Sequence, residues 1–146
     1  MLEVKRIKPE DTYHLRHTIL RPSQPFEACK YDADYAEDTF HVGAFYQGNL
    51  ITIASFYKEK HPDLLEDNQF RLRAMATDVA FRKLGAGRLV VSFAVEIVKQ
   101  KNHTILWCNG RTSVQGYYER LGFQAHGEVF DLPPIGEHIV MVKRLE

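Results

Sequence analysis

The chain has 146 residues, 45% of them apolar and 26% charged, enough for the core of one domain over residues 1–146 without disulfides or metal. Its 19 Lys and Arg balance 19 Asp and Glu, so the net charge is zero; there is no basic excess of the kind a nucleic-acid binder carries, and any anion site must be local. No apolar run reaches the roughly 18 residues of a membrane span, and residues 1–11 mix charges into their apolar positions, so the expectation is a soluble, cytoplasmic protein with neither nucleic acid nor membrane as partner.

Residues 2–7 alternate as a short strand, and Pro9, Glu10 and Asp11 then open a helix to about Leu20, with acids at the positive end of its dipole. Residues 21–39 hold Pro22, Pro25 and the acids Glu27, Asp32, Asp34, Glu37 and Asp38, which predicts a mobile or partly helical, solvated connection. The same acids are an alternative attractor for a cationic amine. Two strands, 40–46 and 50–57, flank the turn Gln47-Gly48-Asn49. Phe70, Leu72, Ala74 and Ala76 alternate with Arg71, Arg73, Met75 and Thr77, the two-residue period of a strand over 69–79.

A glycine-containing turn, 82–87, leads to a helix over 88–101, with Val90, Ala94 and Ile97 on one face and Val91, Val95 and Val98 widening it. Residues 104–108 form a short apolar strand, and 109–113 supply turn and N-cap residues for a helix ending at Leu121, with Gly122 as its C-cap. Two closing strands, 123–130 and 138–144, are joined through Pro133, Pro134 and Gly136. The predicted class is α/β, or α+β, with a mixed sheet and β-α-β crossovers in its second half.

Cys29 and Cys108 form no C-x-x-C pair, and the histidines His14, His17, His41, His61, His103, His126 and His138 contain no H-x-x-x-H or H-E-x-x-H, so no metal is expected. Cys108, in an apolar strand without an adjacent base, reads as a small buried hydrophobe and not as a nucleophile. The stretch Arg82-Lys83-Leu84-Gly85-Ala86-Gly87-Arg88 is the most informative. Two glycines between a strand end and a helix start let the backbone approach an anion, free N–H groups at the helix N-terminus donate to it, and Arg82 and Arg88 add charge from the sides. The spacing is neither G-x-G-x-x-G nor a P-loop, which disfavours dinucleotide and nucleoside triphosphate readings.

Arg82, Gly85 and Gly87, followed by Tyr117-Tyr118-Glu119-Arg120-Leu121-Gly122-Phe123, together resemble the GNAT superfamily of acyl-CoA-dependent N-acetyltransferases over roughly residues 40–145. The resemblance implies a GNAT-like fold in which the strands 69–79 and 104–108 start paired and then splay, leaving a slot for pantetheine. It implies acetyl-CoA as cosubstrate, with pyrophosphate on Leu84, Gly85, Ala86, Gly87 and Arg88, pantetheine along the backbone of Met75, Ala76 and Thr77, and Asn109 flanking it. Val79 stands where many members have proline. Tyr118 occupies the position of the acid that protonates the leaving thiolate.

For direct transfer in a ternary complex the acceptor must be a neutral primary amine, on a small molecule or on a protein. The base is open among Asp78, His41, Glu137 and His138, with His138 favoured as a residue of the acceptor pocket. Two other readings compete: a non-catalytic acyl-CoA-binding or sensor module, and an unrelated nucleotide-binding α/β domain. Exposed sheet edges leave a homodimer open.

Overall fold

A computed structural model of the chain describes residues 1–145. Strands β1 (Leu2–Ile7), β2 (Phe40–Tyr46), β3 (Asn49–Tyr57), β4 (Gln69–Thr77), β5 (Ile105–Arg111), β6 (Gln124–Leu132) and β7 (Gly136–Arg144) form one sheet in the order β1-β2-β3-β4-β5-β7-β6. The β4–β5 pairing is parallel and the others are antiparallel. Three helices flank the sheet: α1 (Tyr13–Leu15), α2 (Ala86–Gln100) and α3 (Gln115–Arg120). The helical stretch around α1 starts as a 3-10 turn, Pro9–Thr12, and ends as a π turn, Arg16–Leu20. This is the mixed α/β sheet that the sequence predicts.

The local causes are readable. Gln47 and Gly48 both take positive φ (51° and 82°), the two-residue hairpin geometry that matches strand twist between β2 and β3. At the end of α3 the N–H of Gly122 donates to the Glu119 carbonyl (3.0 Å) and that of Phe123 to the Tyr118 carbonyl (3.1 Å), a paired closure that turns Phe123 into the core. On one face of the sheet, Phe40, Val42, Ala54, Phe56, Phe70, Leu72, Leu106 and Met141 pack against Ala86, Val90, Val91, Ala94 and Val98 of α2. On the other face Leu15 of α1 packs with Ile53 and Ala76.

The central feature is a parting of two strands. Parallel pairing runs only through Gln69↔Ile105, Phe70↔Leu106 and Arg71↔Trp107; beyond it β4 and β5 diverge, while β5 stays paired with β7 as far as Arg111↔His138. That pairing with β7 extends the apolar strand predicted for 104–108 to Arg111, so Asn109 and Gly110 lie in the strand and not in a turn. Residue Ala74 adopts φ 57° at a bulge in β4, where the register shifts between Ile53 and Ser55 of β3. The extra residue puts Met75 on the α2 face and Ala76 on the α1 face.

The segment 21–39 departs from the expected solvated connection. It folds into two 3-10 turns, Phe26–Cys29 and Asp32–Tyr35, and buries Cys29 and Asp34. Three of its five acids are engaged by cations, Asp34 with Arg16 (2.8 Å), Glu27 with Lys30 (2.9 Å), and Asp38 with Lys58 (3.7 Å) and Lys101 (3.8 Å), while Asp32 and Glu37 are exposed. The pairing leaves only Asp32 and Glu37 of the segment's acids without a cation partner among the described residues. β4 ends at Thr77, two residues before the predicted limit, because Asp78 caps the turn Val79–Phe81 by accepting the Ala80 N–H (3.0 Å).

Candidate active site

Past Arg71 and Trp107 the edge of β4 that would face β5 has no strand partner, and Met75, Ala76 and Thr77 lie along it. Above this edge stands the N-terminus of α2. Gly85 is its N-cap with φ 78°, a left-handed conformation that costs a residue with a Cβ about 1 kcal/mol or more. No side chain caps α2, so the first N–H groups of the helix are free of side-chain acceptors. Arg82, Lys83, Leu84 and Arg88 are exposed around it, and none of the three cations pairs with a described carboxylate. An uncapped helix start with unpaired cations beside it fits a phosphate group.

Gly87 has a second role. A Cβ built there would lie 1.8 Å from the Tyr117 hydroxyl, so the missing side chain is what lets Tyr117 lie across the first turn of α2. From there Tyr117 reaches the Met75 sulfur at 3.8 Å. The sequence holds no signal for this contact, because Gly87 and Tyr117 meet only through the packing of α3 against α2.

Tyr118 packs beneath β5, where a Cβ on Gly110 would come within 3.2 Å of its ring, and meets Tyr117 and Phe123 edge to face at 5.5 and 5.6 Å. Burial raises its pKa far above the ordinary tyrosine value; neighbouring Cys108 and Tyr117 add to this, and Arg111 opposes it. Tyr118 is thus a protonated donor at any physiological pH. Burial likewise pushes the Cys108 thiol up to about 12, against the opposing influence of Arg71, so it carries no thiolate.

Alternation along β5 puts Cys108 and Gly110 on the α2 face and Trp107, Asn109 and Arg111 on the α1 face. The Asn109 side-chain oxygen is buried there with no hydrogen-bond donor. His138 lies opposite Arg111 in β7, buried against Phe130; its Nδ1 donates to the Gly136 carbonyl (2.8 Å), which leaves Nε2 with the lone pair. The other candidate bases are elsewhere. Asp78 caps its turn, and Glu137 is exposed beside the β6–β7 loop. His41 is a buried structural residue: its Nε2 donates to the Asp34 carbonyl (3.1 Å), its Nδ1 accepts from Ser55 Oγ (2.7 Å), and burial lowers its pKa.

On the α1 face the structure also assembles residues that sequence reasoning passed over. Arg71 and Arg73 project from β4 toward Trp107 and Tyr31, with guanidinium-to-ring distances of 5.1 and 4.1 Å. In the sequence they read as the outward polar positions of an alternating strand. The overlooked signal was arginine at successive same-face positions of a strand whose other face is wholly apolar.

A parallel pair that parts midway, with an uncapped glycine helix start on one side and a protonated tyrosine under the parting, is the architecture of acyltransferases that take a coenzyme A thioester. The chain belongs to the GNAT acetyltransferase family: the sequence profile of the Acetyltransferase (GNAT) family matches residues 9–123. It is 50% identical over 145 residues to YitI, an uncharacterized N-acetyltransferase of Bacillus subtilis strain 168, covering 99% of this chain and 97% of the relative. Its fold is shared by an acyl-CoA N-acyltransferase of Pseudomonas aeruginosa, with TM-score 0.71, 22% identity, and coverage of 98% of this chain and 99% of that one. It is shared too by an aminoglycoside 6′-N-acetyltransferase complexed with coenzyme A, with TM-score 0.77, 13% identity, and coverage of 97% and 96%. The chain is therefore an acyltransferase that transfers acetyl to an acceptor, in a family that uses acetyl-CoA. No helix among the described residues is long and apolar enough to cross a membrane.

Proposed function

We propose that residues 1–146 act as one unit that transfers acetyl from acetyl-CoA directly to a primary amine, with both substrates bound together at the β4–β5 parting. The observation that carries this reading is the parting itself, roofed by the free N–H groups of α2 and floored by Tyr118. When bound, acetyl-CoA supplies an activated acetyl group as a thioester.

The backbone N–H groups from Leu84 to Arg88 hold the pyrophosphate, with Arg82 and Arg88 flanking it. The unpaired edge at Met75, Ala76 and Thr77 hydrogen-bonds the pantetheine amides and polarises the thioester carbonyl. Asn109 flanks the thioester from β5, its amide turned to the acceptor side. His138 presents Nε2 to the incoming amine and takes up its proton. Tyr118 gives its proton to the sulfur as the C–S bond breaks and the amide bond forms.

The pH profile tests the assignment of the acid. The acceptor amine must lose a proton before it attacks, so kcat/KM rises with pH. Because the pKa of Tyr118 is raised, the alkaline limb that its ionisation would cause lies above about pH 10. A high-pH loss of rate that persists unchanged in Tyr118→Phe would remove it from this role.

The whole reading is tested by calorimetric titration with acetyl-CoA, using ATP and NAD as controls. Selective binding of acetyl-CoA is expected; no binding, or preference for ATP or NAD, would overturn it. In Gly87→Ala the new methyl displaces the Tyr117 hydroxyl toward the slot, and acetyl-CoA affinity is expected to drop about 10-fold. Adding Tyr117→Phe removes the clashing hydroxyl and should restore part of the loss. An unchanged affinity in Gly87→Ala would place the cofactor elsewhere.

A further inference from the structure

The α1 face of the parting holds more guanidinium groups than carboxylates. Tyr31 lies among three of them: Arg73 stands over its ring at 4.1 Å, Arg16 at 4.3 Å and Arg21 at 5.9 Å, with Arg21 Nε donating to the Tyr31 hydroxyl (3.2 Å). Arg16 is neutralised by Asp34 and Arg71 by Glu59 (2.8 and 3.1 Å). Arg21, Arg73 and Arg111 form no ion pair with any described residue; Arg111 makes one long contact, Nη2 to the Leu20 carbonyl at 3.5 Å. Arg73 follows Arg71, the last β4 residue paired with β5, on the same face, so its guanidinium stands at the mouth of the parting. Burial works against its charge, and the nearby Arg71 and Arg21 add repulsion that Tyr31 and Tyr57 only partly relieve. Three further groups in this region are buried without partners, Arg16 Nε, Arg71 Nε and the Asn109 side-chain oxygen.

Like charges gathered in a half-buried site without counter-ions are unfavourable, and a bound anion relieves them. Guanidinium pairs recognise oxyanions through paired N–H donors. The Asn109 oxygen, an acceptor without a donor, suits the N–H of an amine. Of the acids of the segment 21–39, which would favour a cationic substrate, Asp34, Glu27 and Asp38 are directed instead to Arg16, Lys30, Lys58 and Lys101, which leaves Asp32 and Glu37, both exposed.

We propose that the acceptor is a small amine that also carries an oxyanion, a carboxylate or a phosphate, held by Arg73 and Arg21 while its amine is presented at the parting beside Asn109 and His138. This rests on the acetyltransferase reading above and names its substrate class. Polyamines and other purely cationic amines are poor acceptors on this geometry, since they bring further positive charge to an unneutralised set.

The test is release of free CoA from acetyl-CoA by the full-length protein with four groups of amines: the common α-amino acids, their carboxamides, O-phosphoethanolamine with ethanolamine as its match, and spermidine. The carboxamides have the less basic amines and are favoured on reactivity alone, so a preference for the acids reports recognition. The expected result is turnover with an amino acid or with O-phosphoethanolamine, whichever source the oxyanion has, at a KM about 30-fold below that of its uncharged match. Arg73→Gln should raise the KM of the oxyanion acceptor about 30-fold and leave unchanged both the KM of the uncharged match and the Kd for acetyl-CoA. A general loosening of the site would move all three. Arg73→Lys should recover part of the loss, and Arg21→Gln serves as the parallel variant if Arg73→Gln does not fold. Preference for spermidine or for the uncharged amines, or no turnover with any oxyanion amine while acetyl-CoA still binds, overturns the proposal and leaves the acetyltransferase reading standing. Failure to bind acetyl-CoA overturns both.

Discussion

Tyr118→Phe is expected to lower kcat about 100-fold with the Kd for acetyl-CoA unchanged. The leaving thiolate, of a thiol with pKa about 8.5, departs into a site screened from water, where an uncompensated charge is costly. Tyr118 is held protonated by burial and by Cys108 and Tyr117, and so brings a donor to that charge at every pH of interest. Phenylalanine keeps the edge-to-face packing on Tyr117 and Phe123, so the fold and the slot remain and only the donor goes. Stopped-flow measurement of the acetyl-transfer step, with calorimetry for binding, separates the two effects. Unchanged kcat would remove the acid role; weakened binding with unchanged kcat would make Tyr118 part of the cofactor site instead.

The second large effect is on stability. Asp34→Asn is expected to cost about 3–5 kcal/mol and to lower Tm by roughly 10 °C, since it leaves the Arg16 guanidinium charged in a site where both side chains are fully buried. Arg16 donates to the Cys29 carbonyl (2.8 Å), both Asp34 oxygens (2.8 and 3.0 Å) and Ser55 Oγ (2.8 Å), and the Tyr57 hydroxyl donates to Asp34 (2.7 Å). Swapping the two charges would not restore this network, because the carbonyl and hydroxyl partners are set for a guanidinium at position 16. Burial alone would raise the Asp34 pKa, but the hydrogen bonds from Arg16 and Tyr57 outweigh it and hold the carboxyl below its usual range.

A lowered folded-state pKa means that this stabilisation is complete above the unfolded value of about 4 and is lost as pH falls through the folded one. Melting curves from pH 7 down to pH 3 should show a steep acid limb in the wild type and a flatter one in Asp34→Asn. Equal Tm values at pH 7 would show that the network does not anchor the segment 21–39.

The elements were legible because each rests on local physics. The alternation of Phe70, Leu72 and Arg71, Arg73 fixes β4, the spacing of Val90, Ala94 and Val98 fixes α2, and Gly122 after Leu121 marks the end of α3. The two motifs around Gly85 and Gly87 and around Tyr118 likewise lie within short stretches, where spacing alone puts the groups together. Strand limits were less legible: β5 runs on through Asn109 to Arg111 only because β7, far along the chain, pairs with it.

What the sequence by itself determined is the order and type of the elements and the family's two signatures, since these depend on neighbours along the chain. Only the tertiary structure decided that Asp34 is buried on Arg16 and not solvated, that Gly87 makes room for Tyr117, and that Arg21 and Arg73 meet on the Tyr31 ring with Arg111 against the Leu20 carbonyl. Each of these depends on burial and on charge partners from distant segments, and the sign of an electrostatic effect follows from which charges are brought together and how much water is left between them.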